Sequence, residues 1–240
     1  MNFEILELAI YPLFLISILF SLYAQIKISS TYKKYSSYYT KAGRNATDVA
    51  KMILSSAGID NVAIGRVVGD LTDHFDPRSN TLALSDTTYA STSAAAIGVA
   101  AHEAGHAVQH AVGYFPIKLR SALVPATNFA SRLSWLFITL GLFITAFAYA
   151  SDYGAYVLLF GVGLFAITTL FQLVTLPCEF NASKRAMKAL RKSGYYSNAE
   201  LRAARKVLTA AALTYIAATF ASLIQLARLL VILGNRRDRR

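Results

Sequence analysis

GAYVLLFGVGLFAITTLFQLVTL, residues 154–176, runs for 23 positions without a charged side chain and is followed at once by PCEFNASKRAMKALRKS, residues 177–193. The first stretch exceeds the ~20 apolar residues that a helix needs to cross a hydrocarbon core. The second is polar and increasingly basic. Together they predict a helix that crosses a membrane and ends in a charged segment at its surface, so the chain reads as a mainly α integral membrane protein.

The surrounding sequence supplies further spans. WLFITLGLFITAFAYA (135–150) is separated from the first stretch only by Ser151, Asp152 and Tyr153, which predicts a hairpin of spans over 133–176. ILELAIYPLFLISILFSLYA (5–24) forms a span over 1–24; Glu4 and Glu7 stand where a cleaved leader would carry lysine or arginine. The last apolar run, 207–233, brings Thr214, Ser222, Gln225 and Arg228 to roughly one side at ~100° per residue, a polar stripe suited to a bundle interior. About four transmembrane helices result. Composition agrees: 55% of the 240 residues are hydrophobic and 15% charged, too apolar for an ordinary soluble domain. The net charge of +11 has no interleaved aromatics to make a nucleic-acid surface, and it lies beside apolar runs, where membrane topology requires it.

Lysine and arginine set the orientation. Residues 1–24 and the hairpin turn carry none, against six between Gln25 and Asp60 and eight between Pro177 and Lys206. The segments 25–132 and 177–206 are therefore expected in the cytoplasm. Four full spans would leave the tail 234–240, with RRDRR at its end, outside; either it is tolerated there or the last run does not fully cross.

The cytoplasmic segment 25–132 reads as an α+β domain. Thr47 is placed to cap a short helix, DVAKMILSSA, ended by Gly58. VAIGRVV (62–68) and TLALS (81–85) have strand character, with the turn residues DPRSN (76–80) between them, so a small hairpin or three-stranded sheet is expected. TLALS is also a candidate edge strand for aligning an extended peptide. STSAAAIGVAAHEAGHAVQHAVG (91–113) forms a helix capped by Ser91, Thr92 or Ser93 and ended by Gly113.

That helix contains HEAGH, His102-Glu103-x-x-His106. Two histidines four apart stand one above the other on a helix, within reach of one zinc ion, and the glutamate between them is placed to act as general base. As mere packing on an alanine-rich helix, the same residues would each cost ~1–3 kcal/mol when buried without a partner. His110 cannot be a third ligand, because it lies ~12 Å along the axis from His102, and zinc–nitrogen bonds are ~2.0–2.1 Å. Gln109 and Val112 stand where an extended HExxHxxGxxH motif needs glycine and histidine.

The chain has five glutamates. Glu4 and Glu7 belong to the outer end of the first span, Glu103 is the base, and Glu200 reads as part of a solvated basic loop. Glu179 remains, on a helix face shared with Ala182, Ser183 and Ala186 that lets another helix approach closely. Cys178, the single cysteine, has no disulfide partner and reads as a small packing residue.

HEAGH followed by EFNAS resembles the gluzincin metallopeptidases, and LTDHFDPRSNTLALS, AAHEAGHAVQH and TLPCEFNASKRA closely resemble the bacterial membrane family of neutral zinc metallopeptidases named for YugP, with a more distant likeness to the Ste24 and HtpX proteases. The resemblance covers nearly the whole length. It implies a gluzincin-like metalloprotease domain, one Zn2+ held by His102, His106 and Glu179, and Glu103 as catalytic base. Two positions depart from the pattern: Asn181 and Ser183 stand where aspartate is expected, and both bear on the orientation of the histidines.

The expected chemistry is peptide-bond hydrolysis by zinc-activated water at the cytoplasmic surface of the bacterial plasma membrane, on protein or peptide substrates associated with the bilayer. His74, Arg185 and Tyr215 are unranked candidates for stabilising the oxyanion, and His74 has an alternative role as a turn residue bonded to Asp76. A proteolytically silent zinc-binding scaffold is the alternative reading; Glu103, which a purely structural site would not need, separates the two.

Overall fold

The computed structural model describes residues 3–147 and 152–238. Residues 148–151, at the end of the second apolar run and the start of its turn, lie outside the described residues, as do Arg239 and Arg240 of the basic tail. The chain runs α1 (Phe3–Ser36), α2 (Ala46–Ser56), β1 (Ala63–Val67), β2 (His74–Asp76), β3 (Thr81–Ser85), α3 (Ala94–Ala111), α4 (Phe115–Phe147), α5 (Asp152–Ser193) and α6 (Asn198–Asp238). The protein is mainly helical, and α1, α4, α5 and α6 are long and apolar enough to cross a membrane. Each apolar run proves to be part of a longer helix. Thus α5 continues from Leu176 through the basic segment to Ser193, and α4 starts at Phe115, well before Trp135.

The chain divides into two compact units. The first comprises Met1–Tyr23, Leu119–Leu176 and Tyr215–Arg240. Its core is Ile138, Leu158, Val162 and Leu229. Gly141 of α4 lies against the backbone of Leu158, and Gly161 of α5 against that of Ile138. Close backbone approach at small residues is how helices associate where lipid removes the hydrophobic drive. Large apolar side chains such as Leu15, Leu136, Phe143, Leu159 and Leu223 are exposed on this unit, as lipid contact requires.

The second unit comprises Ala24–Lys118 and Pro177–Thr214. Its core gathers Val49, Ile53 and Leu54 of α2, Leu82 and Leu84 of β3, Ile97, Ala100 and Ala104 of α3, Ala186 and Leu190 of α5, and Leu208 of α6. The sheet order is β1-β3-β2. Strand β3 pairs parallel to β1, from Ala63 opposite Thr81 to Val67 opposite Ser85, and antiparallel to β2, with His74 opposite Ala83. The turn between β2 and β3 is built by Asp76, whose carboxylate accepts from the Arg78 N–H at 2.9 Å and the Ser79 hydroxyl at 2.8 Å, with Asn80 at φ +50°. TLALS is therefore the central strand. Its hydrogen-bonding edges are taken by β1 and β2, so it does not offer the free edge expected of it.

Two local expectations are also corrected. Asn45, not Thr47, caps α2: its side chain accepts from the Asp48 N–H, and Asp48 bonds back to the Asn45 N–H. An acidic residue three positions on favours Asn45 by closing this reciprocal box. Thr47 instead donates its hydroxyl to the Tyr89 carbonyl at 2.6 Å. Glu200 is buried in the first turn of α6, not solvated in a loop. It accepts from Ser197 N–H (2.7 Å), Ser197 Oγ (2.8 Å) and Lys41 N–H (2.6 Å), which ties the start of α6 to the segment before α2. Ser93 caps α3 through the Ala96 N–H, and Gly113 follows its end at φ +66°.

Helix α3 is held at two glycines. A Cβ on Gly98 would rest 3.5 Å from Ala204 of α6, whereas one on Gly105 would come within 2.7 Å of the Ala182 carbonyl oxygen of α5. The second contact leaves no room for a methyl group. Gly105→Ala is expected to cost roughly 1–3 kcal/mol by overpacking, read as a lowered melting temperature of the full chain in detergent; an unchanged midpoint would contradict this contact.

Candidate metal centre

Helix periodicity aligns His102, Gly105, His106 and Gln109 on one side of α3, and Glu179, Ala182 and Ser183 on one side of α5. The close approach at Gly105 brings the two sides together. His102 Nε2 lies 3.1 Å from Glu179 Oε2 and 3.1 Å from His106 Nε2, and His106 Nε2 lies 3.5 Å from Glu179 Oε2. Glu179 is 2% exposed and His106 7% exposed, while His102 is half-buried.

The protonation pattern follows from the surrounding hydrogen bonds. Gln109, fully buried, donates from Nε2 to the Cys178 carbonyl at 2.8 Å and to Asn181 Oδ1 at 3.0 Å. A carbonyl only accepts, so the Gln109 amide nitrogen must face it, leaving Oε1 toward His106 Nδ1 at 3.0 Å. His106 Nδ1 therefore carries the proton, and its Nε2 lone pair faces the cluster; this tautomer is assigned from the network. His102 Nδ1 lies 3.1 Å from Ser183 Oγ, a hydroxyl that can donate or accept, and its Nε2 is turned inward. Asn181 Oδ1 also accepts from Arg185 Nε at 2.7 Å.

Two imidazole nitrogens and a carboxylate oxygen thus crowd together, electron-rich and largely desolvated. Tetrahedral bonds of 2.0–2.1 Å place ligand atoms about 3.3–3.4 Å apart. The separations of 3.1, 3.1 and 3.5 Å bracket that spacing. The donor set and its spacing fit a zinc ion.

Glu103 follows His102 on α3. Burial pushes its carboxyl above the usual carboxylate range; the two imidazoles oppose that rise, and Glu179 and Asp73 reinforce it. Its charge is thereby coupled to all three members of the cluster.

The other candidate residues are placed as follows. His74 is exposed at the start of β2, with Nδ1 2.8 Å from the Thr72 carbonyl. It is not bonded to Asp76, whose carboxylate serves the β2–β3 turn. Arg185 is engaged with Asn181, and Tyr215 stands on α6 in the first unit. His110 packs against Phe75, ring centroids 5.9 Å apart, and is not in the cluster. Gln109 was missed as an orienting residue. Its spacing of three from His106 was the available signal, but its other partner, a backbone carbonyl, leaves no trace in a sequence.

A family model described as "Putative neutral zinc metallopeptidase" matches residues 10–234. Among curated proteins, the "Putative membrane protease YugP" of Bacillus subtilis (strain 168) is 39% identical over 218 residues, 91% of this chain and 93% of that protein. No solved structure matches.

Replacing Gln109 with leucine removes the acceptor that fixes His106 while keeping similar bulk. Zinc affinity, measured by chelator competition, is expected to fall about 10–100-fold; an unaltered affinity would show that His106 needs no such partner.

Proposed function

Because this chain belongs to the neutral zinc metallopeptidase family, we propose that it is a membrane-bound endopeptidase using one zinc ion held by His102, His106 and Glu179, with Glu103 as general base. The observation that carries this reading is the convergence of two inward-facing Nε2 atoms on Glu179 Oε2, each imidazole engaged on its other nitrogen. When bound, zinc supplies Lewis acidity, polarising a scissile carbonyl and lowering the pKa of water.

The chain's own residues supply the rest. Gln109 and Ser183 hold the imidazoles in the ligating orientation. Glu103 takes a proton from the attacking water and delivers it to the departing amine, the two transfers that peptide hydrolysis requires of a single carboxylate. Desolvation around Glu103 favours its holding that proton between the two transfers.

Substrate class and location follow from position in the chain. Glu179 lies three residues beyond Leu176, the end of an uncharged run on the same helix, so the site belongs close to the bilayer surface. Membrane proteins, or peptide segments near the bilayer, are the substrates we assign. The lysine and arginine distribution supports our reading that segments 25–132 and 177–206 face the cytoplasm of a bacterial cell, with the protein in its plasma membrane.

Glu103→Gln is expected to leave about one zinc per chain while lowering turnover by at least roughly 100-fold. Comparing membrane proteomes from cells carrying either form would reveal fragments made only by the native chain. Fragments that persist with Glu103→Gln would refute the role of Glu103, and loss of zinc in that variant would refute the division between ligands and base.

A further inference from the structure

The first unit contains a cleft of about 510 Å³ among α1, α4, α5 and α6 that the proposed hydrolysis does not use. Its walls are mostly apolar, including Ile18, Leu22, Ile138, Leu142 and Phe165, and Arg228 also lines it. Arg228 stacks over the Phe14 ring at 4.5 Å and reaches Tyr11 at 5.9 Å. Its Nη1 makes a long bond of 3.3 Å to Gln225 Oε1, and its Nε is buried without a hydrogen-bond partner. Among the described residues, no carboxylate forms an ion pair with it.

A guanidinium carries five N–H donors in a planar fork suited to two-oxygen anions. Here one donor makes a weak bond, another faces nothing, and two aromatic faces compensate only part of the charge. The serines on the α1 wall do not substitute as donors: Ser17 gives its hydroxyl hydrogen to the Phe14 carbonyl at 2.7 Å, and Ser21 gives its own to the Ser17 carbonyl at 2.9 Å. A ligand's anionic end therefore belongs at Arg228 and its apolar part in the cleft.

Charge and backbone select the kind of apolar part. A protein helix could pair with Arg228 only by bringing an aspartate or glutamate into the membrane, residues that spanning segments rarely carry. An extended peptide would leave backbone N–H and C=O groups unsatisfied in hydrocarbon. An acyl chain has neither problem. Arg228 also lies eight residues before Arg236, the first charged residue that follows it on α6, ~12 Å along the axis, so its long side chain can extend toward a headgroup at the interface.

We infer that this cleft binds an anionic phospholipid of the surrounding membrane, its phosphate paired with Arg228 and one acyl chain lying against Ile18, Leu22, Ile138 and Leu142. The cleft and the metal cluster share no residue, so this test does not depend on proteolysis. Full-length chain in detergent would be supplied with phosphatidylglycerol, phosphatidylcholine, palmitate or an acidic transmembrane peptide, and bound lipid counted by native mass spectrometry. Phosphatidylglycerol should be retained about tenfold over phosphatidylcholine, the worth of one good charge-assisted pairing. Arg228→Met should abolish the preference. Ala221→Phe, which fills the cleft and keeps the cation, should reduce total lipid bound, and it decides the matter if the arginine variant does not fold. Equal retention of both phospholipids, or a preference that survives Arg228→Met, would overturn the assignment. So would displacement of phosphatidylglycerol by equimolar palmitate or by the acidic peptide, which would make the occupant a free fatty acid or a protein segment.

Discussion

The contact on which the candidate site depends is the one between Gly105 of α3 and the Ala182 backbone of α5. A zinc ion reaches its ligands at ~2 Å, so the two helices that supply them must nearly touch. Any side chain at position 105 would meet the Ala182 carbonyl oxygen at 2.7 Å or closer. The glycine sits one residue before His106, and Ala182 one before Ser183, so the point of closest approach is also where the functional groups project. Packing and chemistry share a single face of each helix.

That closeness has an electrostatic cost, which the hydrogen-bond network manages. His102 Nε2, His106 Nε2 and Glu179 Oε2 face one another at 3.1–3.5 Å in a largely dry place. Without outward partners the imidazoles could relieve the crowding by turning or by exchanging tautomers. Gln109 prevents this at His106 because its own orientation is dictated by the Cys178 carbonyl. Ser183 takes the corresponding place at His102, and Asn181 joins Gln109 to Arg185. Neither position carries the aspartate expected there. Neutral oxygens in those places act on His102 directly and on His106 through Gln109, without adding a further negative charge beside Glu103 and Glu179.

What the sequence disclosed depended on how local the governing physics is. The apolar runs were legible because hydropathy averages over a window, yet the helices that contain them are longer: polar stretches such as NASKRAMKALRKS extend a helix without a break and without raising hydropathy. The alignment of His102 with His106 is a property of one helix and could be read directly. Glu179 could be singled out because glutamate is scarce in this chain. By contrast, the central place of TLALS depends on which strands lie beside it, and β1 and β3 pair in parallel with β2 between them in the chain. Local pattern carries no such information. The burial of Glu200 rests on a bond to Lys41 across 159 positions and was equally out of reach.

Helix α3 meets neighbouring backbone on two flanks, Ala204 beside Gly98 and Ala182 beside Gly105. A methyl group at position 98 would still fit in ordinary contact, but at position 105 the glycine is imposed from outside, by the backbone beside it, and not by any preference of the reaction. A rod wedged in this way cannot roll by a residue or slide by a turn to relieve a bulky replacement. Variation compatible with the fold is confined to positions that look away from both neighbours, so changes in what the protein acts upon have to arise elsewhere in the chain.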